Sequence, residues 1–157
     1  MKIAFLTLLF TVAITAPAWA RLGETEDALV ARYGPPLSEF DQKGEEGKIP
    51  MVKLTFQKNG FEIEASVAGG LSVQETFKKV NGDVLTTEEA RYLLNANAQG
   101  FGWEAPQTTG EVKRWTRDDG AVAKLVGGRM FYIMTKELID AETTAKKLEQ
   151  APSLQGL

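Results

Sequence analysis

The chain has neither cysteine nor histidine in its 157 residues. Without cysteine there is no disulfide, so a small exported domain must be held together by packing. Without histidine, Ser-His-Asp and Cys-His nucleophilic systems are excluded in their usual form. His- and Cys-ligated zinc, copper, iron and haem sites fall with them. Carboxylate, lysine or tyrosine chemistry and oxygen-ligated Mg²⁺ or Ca²⁺ remain open to it. The Gly-rich phosphate loops and Asp-rich calcium loops that would signal such sites do not occur. No cofactor and no metal is expected. A dominant charge is missing as well: 18 Lys+Arg stand against 21 Asp+Glu, a net −3, and the two signs are spread along the chain. With no basic face, nucleic acid is not expected as a partner. No apolar run reaches the ~20 residues that a bilayer-spanning helix needs.

The longest apolar run has a different character. Met1-Lys2 is a short positive start, Ile3 to Ala16 is mostly apolar, Pro17 breaks it, and Ala18-Trp19-Ala20 has the small-x-small pattern of a cleavage site. Residues 1–20 therefore read as a secretory signal peptide cut after Ala20. The mature chain is expected in the periplasm or secreted, with no stable membrane anchor. The missing cysteine also removes the acylation site of a bacterial lipoprotein.

From Arg21 the pattern is helix, then strands, twice. Thr25 caps a helix that ends at Tyr33, with acids in its first turn and Leu29, Val30 and Tyr33 as its apolar stripe. Gly34 is expected in the left-handed αL conformation at its end, and Pro35-Pro36 stops it. Residues 35–49 read as a loop. Three strands follow: Met51–Phe56, Phe61–Val67 and Leu71–Phe77. They are joined by turns at Asn59-Gly60 and Gly69-Gly70. Phe61, Ile63, Ala65 and Val67 share one strand face, and Leu71, Val73 and Phe77 another. Such one-sided patterning implies a sheet covered on one face only.

In the second half, Thr86 and Glu89 form a capping box before Ala90, Leu93 and Leu94. Residues 95–110 read as a loop. Strands Val112–Thr116, Ala121–Val126 and Met130–Met134 follow. Thr25 and Thr86, Gly60 and Gly120, and Gly69 and Gly127 recur at offsets of 61, 60 and 58. A fixed period suggests duplication. The expected fold class is α+β: tandem modules of a helix plus a three-stranded antiparallel sheet over residues 21–82 and 83–150. A C-terminal helix follows, capped by Thr135 and with Leu138, Ala141, Ala145 and Leu148 on one face. Residues 151–157 form a tail.

The segment Gly23 to Pro36 has the pattern Gly-x-Thr-x-x-x-apolar-x-x-x-apolar-Gly-x-Pro. It resembles the SmpA/OmlA (BamE) small outer-membrane protein family and the tandem modules of β-lactamase-inhibitory proteins. That resemblance implies a helix packed on a three-stranded antiparallel sheet. It carries over no functional residue, and the outer-membrane members are lipoproteins, whereas this chain has no cysteine to acylate.

Three groups of residues are candidate sites. Phe101 and Trp103 lie in the Gly/Pro-rich stretch Gly100–Pro106, where aromatics either serve recognition or fold back to close a core. Lys113, Trp115 and Arg117 share a strand face that suits an acidic partner or a glycan, or else is a solvated face with Trp115 turned inward. Glu62, Glu64 and Glu75 are the minimum for glycosidase chemistry if they face one another, and ordinary solvent-side charge if they do not. The leading expectation is a non-enzymatic binding or accessory module of the bacterial cell envelope, monomeric or weakly dimeric, acting on another envelope or secreted protein. A small carboxylate-dependent hydrolase and a purely structural envelope protein are the alternatives. Mass analysis of the exported protein should give Arg21 as its first residue; an intact Met1 would remove the export reading.

Overall fold

The computed structural model describes residues 21–42 and 49–150; the signal-peptide and tail assignments lie outside the described residues. The elements are α1 (Glu26–Tyr33), β1 (Ser38–Gln42), β2 (Met51–Lys58), β3 (Phe61–Ala68), β4 (Leu71–Lys79), α2 (Thr87–Ala96), β5 (Gln107–Thr109), β6 (Val112–Thr116), β7 (Val122–Val126), β8 (Met130–Met134) and α3 (Lys136–Gln150). All eight strands form one antiparallel sheet in the order β1-β2-β3-β4-β8-β7-β6-β5.

This corrects the expected fold. There are no separate three-stranded modules: the sheet is continuous and dominates the architecture, with three helices against it. Two strands were hidden in stretches that read as loops. β1 (SEFDQ) and β5 (QTT) are short, polar and exposed, as edge strands tend to be. Neither has the apolar alternation that marks a half-buried strand. The halves then join through backbone pairing of β4 with β8, a long-range contact that local pattern does not encode.

Helix ends follow local chemistry closely. The Thr25 hydroxyl accepts from the Ala28 N–H at 3.4 Å. Thr86 and Glu89 complete both halves of the capping box, at 3.1 and 2.6 Å. Burial raises the Glu89 carboxyl, but its hydrogen bonds with Thr86 and Lys79 and the Lys79 charge together outweigh that and hold it below its usual range. The Thr135 hydroxyl likewise accepts from Leu138 N–H. At Asn59-Gly60, φ values of +50° and +80° give the primed turn that matches strand twist.

The core lies between the sheet and the α1/α2 layer. Its spine is one cross-strand row, Phe56–Ile63–Phe77–Phe131–Leu125, which runs through β2, β3, β4, β8 and β7. Every member is buried. Fully burying one such side chain contributes about 1.5–3 kcal/mol. Leu29 and Tyr33 of α1 and Ala90, Leu93 and Leu94 of α2 cover it.

Two further expectations are corrected. A register shift between Ser66 and Val67 sets Val67 opposite Ser72 and Ala65 opposite Glu75. Val73 falls in this bulge, so the Leu71/Val73/Phe77 face is broken: Leu71 is exposed and Ser72 turns inward, while Glu75 stays on the buried face of Phe77. The sheet is also covered on its second face. α3 packs against β4 there; Leu138, Val122 and Met134 are buried but lie outside the main cluster. Leu148's side chain lies outside the described residues. Among the described residues, no helix is long and apolar enough to cross a membrane.

Gly34 has φ +93° and ψ −175°, with its N–H on the Val30 carbonyl at 2.8 Å. It is thus a positive-φ helix stop but not αL, because Pro35 disfavours a helical ψ in the residue before it. A Cβ at this position would meet nothing within 4 Å, so a substitution there carries only the backbone cost. Gly34→Val should lower stability by about 1–3 kcal/mol in urea unfolding; an unchanged midpoint would show that the helix stop tolerates a side chain.

Candidate functional site

The first candidate is a groove of about 550 Å³ between α2 and the β5–β6–β7 end of the sheet. Its floor is Trp115, half-buried, with its ring 6.0 Å from Phe131 and tilted 47°. Trp115 lies opposite Ala123, in a second cross-strand row that reads Leu54–Ala65–Glu75–Ile133–Ala123–Trp115. Near the sheet edge no core remains to cover the ring fully, and the groove opens beside it. Arg91 and Leu94 from α2 line one wall; Pro106, Thr108 and Lys113 line the other. The groove is mostly apolar with a few convergent polar groups, and its volume lies within the usual range for binding sites.

Of the sequence candidates, Trp115 and Lys113 meet in this groove. Arg117 does not join them. It is 4% exposed, and its guanidinium is committed within the fold. Nε and Nη2 bind Asp119 at 2.7 and 2.6 Å in bidentate fashion, while Nη1 donates to the Asn97 carbonyl. Phe101 and Trp103 stack over the guanidinium at 5.5 and 5.7 Å. The Trp103 indole N–H donates to the Leu94 carbonyl at 2.8 Å, and its backbone bridges to Arg117. Trp103 has therefore folded back against the core, whereas Phe101 remains exposed. The loop at 100–106 is pinned by a buried arginine whose place on the strand face had marked it as a binding residue. Sequence reasoning missed Arg91 and Thr108 as groove residues, because only the pairing of β5 with β6 brings Thr108 opposite Lys113.

The three carboxylates do not converge. Glu62 and Glu64 point to the α3 side of the sheet, within 3.5 Å of Lys78 and Lys53 respectively. Glu75 points the other way and is fully buried. The Tyr33 hydroxyl donates to Glu75 Oε2 at 2.7 Å. Burial pushes the Glu75 carboxyl above its usual range. Burial, and then the Glu75 charge, push the Tyr33 phenol far up, so it remains a donor. Nearby, buried Arg32 pairs with Glu24. Among the described residues, no group of acids is placed to hold a metal ion.

No protein-family model matches the chain, and no curated protein sequence does. Solved structures do match. One is an extracellular protein containing an SCP domain from Bacillus anthracis str. Ames: 12% identical, TM-score 0.44, over 91% of this chain and 52% of that one. Another is a cysteine-rich secretory protein from Staphylococcus aureus subsp. aureus Mu50: 10% identical, TM-score 0.42, over 75% of this chain and 46% of that one. This chain thus spans about half the length of those proteins.

The resemblance to SmpA/OmlA and inhibitory-protein modules is set aside. It implied a helix on a separate three-stranded sheet, and the sheet is one eight-stranded unit. The motif that carried the resemblance is a threonine cap, an apolar stripe and a Gly-Pro stop. Those features report how a helix starts and ends, which is common to many folds.

Hydrogen bonds from Arg117, partly opposed by burial, hold the Asp119 carboxyl below its usual range. A depressed carboxylate contributes stability that is present above the ordinary aspartate value, about 3.9, and lost as pH falls through the lower folded-state value. Asp119→Asn should cost about 1–3 kcal/mol at pH 7, since Arg117 is left buried without its counter-charge. In urea unfolding the gap to the parent should narrow on going from pH 7 to about pH 3. An equal gap at both values would show that the pair's charge contributes nothing.

Proposed function

We propose that the mature chain is an exported, non-enzymatic binding module of the bacterial cell envelope, and that its groove beside α2 takes an extended segment of another exported protein. The export reading rests on the signal-like residues 1–20. The observation that carries the binding reading is the half-buried Trp115 at the floor of a groove flanked by two cations, Arg91 and Lys113. An aromatic floor with a charged rim is the usual anatomy of a recognition site.

The chemistry of the segment follows from the lining. Trp115, Leu94 and Leu125 favour an apolar anchor, while Arg91 and Lys113 favour a carboxylate beside it. β5 supplies the means of holding a backbone. It ends the sheet order and pairs with β6 alone among the strands, so its outer edge suits strand addition. The hydrolase alternative draws no support from the carboxylates, which lie on opposite faces of the sheet.

A photoreactive residue in place of Thr108 should crosslink an exported protein in intact envelopes, and one in place of Glu62 should not. Charge reversal at Lys113 and Arg91 should reduce that adduct about tenfold, as like charges meet across the rim. Equal adducts from both positions, or an adduct indifferent to Lys113→Glu, would sink the groove reading.

A further inference from the structure

Glu75 is poorly accommodated in the core. It sits in an otherwise apolar row, between Ala65 of β3 and Ile133 of β8, with no exposed surface. Oε2 has the Tyr33 hydroxyl, but Oε1 meets no donor among the described residues. Arg32 attracts it from α1, but no Arg32 nitrogen hydrogen-bonds it: Nη2 is engaged by Glu24, while Nε and Nη1 meet no acceptor among the described residues. A carboxylate buried with one neutral donor is costly, and such sites normally hold a paired charge.

The chain start of the described residues runs directly past it. Gly23 N–H donates to Ser72 O and Ser72 N–H to Glu24 O, both at 2.8 Å. The Ser72 hydroxyl donates to the Arg21 carbonyl at 3.3 Å. Leu22 is buried, and its N–H donates to Asn97 Oδ1 at 3.3 Å. Arg21 is thereby held over β4, and its own backbone N–H faces the Glu75 carboxylate and favours the ionised form. Strand alternation puts Glu75 on the inward face with Phe77, and the bulge brings Ser72 to the same side.

Removal of the leader changes the chemistry at this one atom. A signal-cleaving peptidase and water hydrolyse the Ala20–Arg21 amide. The C–N bond breaks, Ala20 leaves as a carboxylate, and Arg21 keeps an α-amine that takes up a proton near neutral pH. We propose that the α-ammonium of processed Arg21 is the missing partner of Glu75 Oε1, so that leader cleavage completes the core with a buried ion pair. Before cleavage the same nitrogen is an uncharged amide. In the precursor Oε1 would then face an uncharged amide, and in the processed chain a charged donor. This inference rests on cleavage after Ala20 and is independent of the groove.

The test compares chains with a defined first residue: Arg21 with a free α-amine, and the same chain Nα-acetylated, each with and without Glu75→Gln. The free form should melt higher than the acetylated form, and Glu75→Gln should abolish most of that difference. The Arg21 α-amine should titrate about one pH unit or more above its ordinary value of about 8. Equal melting of the free and acetylated forms, or the same loss in Glu75→Gln, would overturn the pairing. So would an α-amine that titrates at its ordinary value, a result that decides the matter even if Glu75→Gln does not fold. A failed leader reading shows separately, as an exported protein whose first residue is not Arg21.

Discussion

Everything else in this protein depends on the pairing of β4 with β8. Each half of the chain builds four consecutive antiparallel strands, and each half left to itself would expose an inner edge. The β4–β8 ladder closes both edges at once and sets Phe77 opposite Phe131. That pair makes one row of Phe56, Ile63, Phe77, Phe131 and Leu125 across five strands. Backbone hydrogen bonding and apolar burial are therefore satisfied by the same contact. With no disulfide available, this seam does the work that cross-links do in many small exported domains.

The adjacent row shows what the seam leaves unsettled. Leu54, Ala65, Ile133 and Ala123 are buried and apolar, but Glu75 interrupts them and Trp115 ends them half-covered. These two departures from good packing sit at the two proposed sites. Trp115 floors the groove beside α2. Glu75 lies under the segment that begins at Arg21. A well-packed core has little reason to hold an unpaired carboxylate or a half-covered indole, so local inconsistency of this kind points toward function.

Arg117 shows how a charged residue can serve the fold while looking like a binding residue. Strand alternation places it in line with Lys113 and Trp115. Its guanidinium instead ties together the end of α2 through Asn97, the turn at Asp119, and the rings of Phe101 and Trp103. The aromatic loop is thus held by cation–π stacking and hydrogen bonds, and one wall of the groove inherits that order.

Features that depend on neighbours a few residues away were legible in the sequence. The Thr25 and Thr86 caps, the Glu89 capping box, the Asn59-Gly60 turn and the alternation of Ile63, Ala65 and Val67 are all local, and all stand in the structure. What depends on distant pairing was not. The strand character of SEFDQ and QTT comes from having β2 and β6 beside them, not from their own side chains. The bulge at Val73 turned Ser72 inward and Leu71 outward against the apparent alternation, because register is set by the partner strand. The same holds for α3 on the second face and for the burial of Arg117. By itself, then, the sequence determined where helices and turns begin and end, since capping and turn chemistry act within one or two turns of chain. Only the tertiary structure decided which faces are buried and which residues share a groove, since those follow from hydrogen-bonded register between strands far apart in sequence.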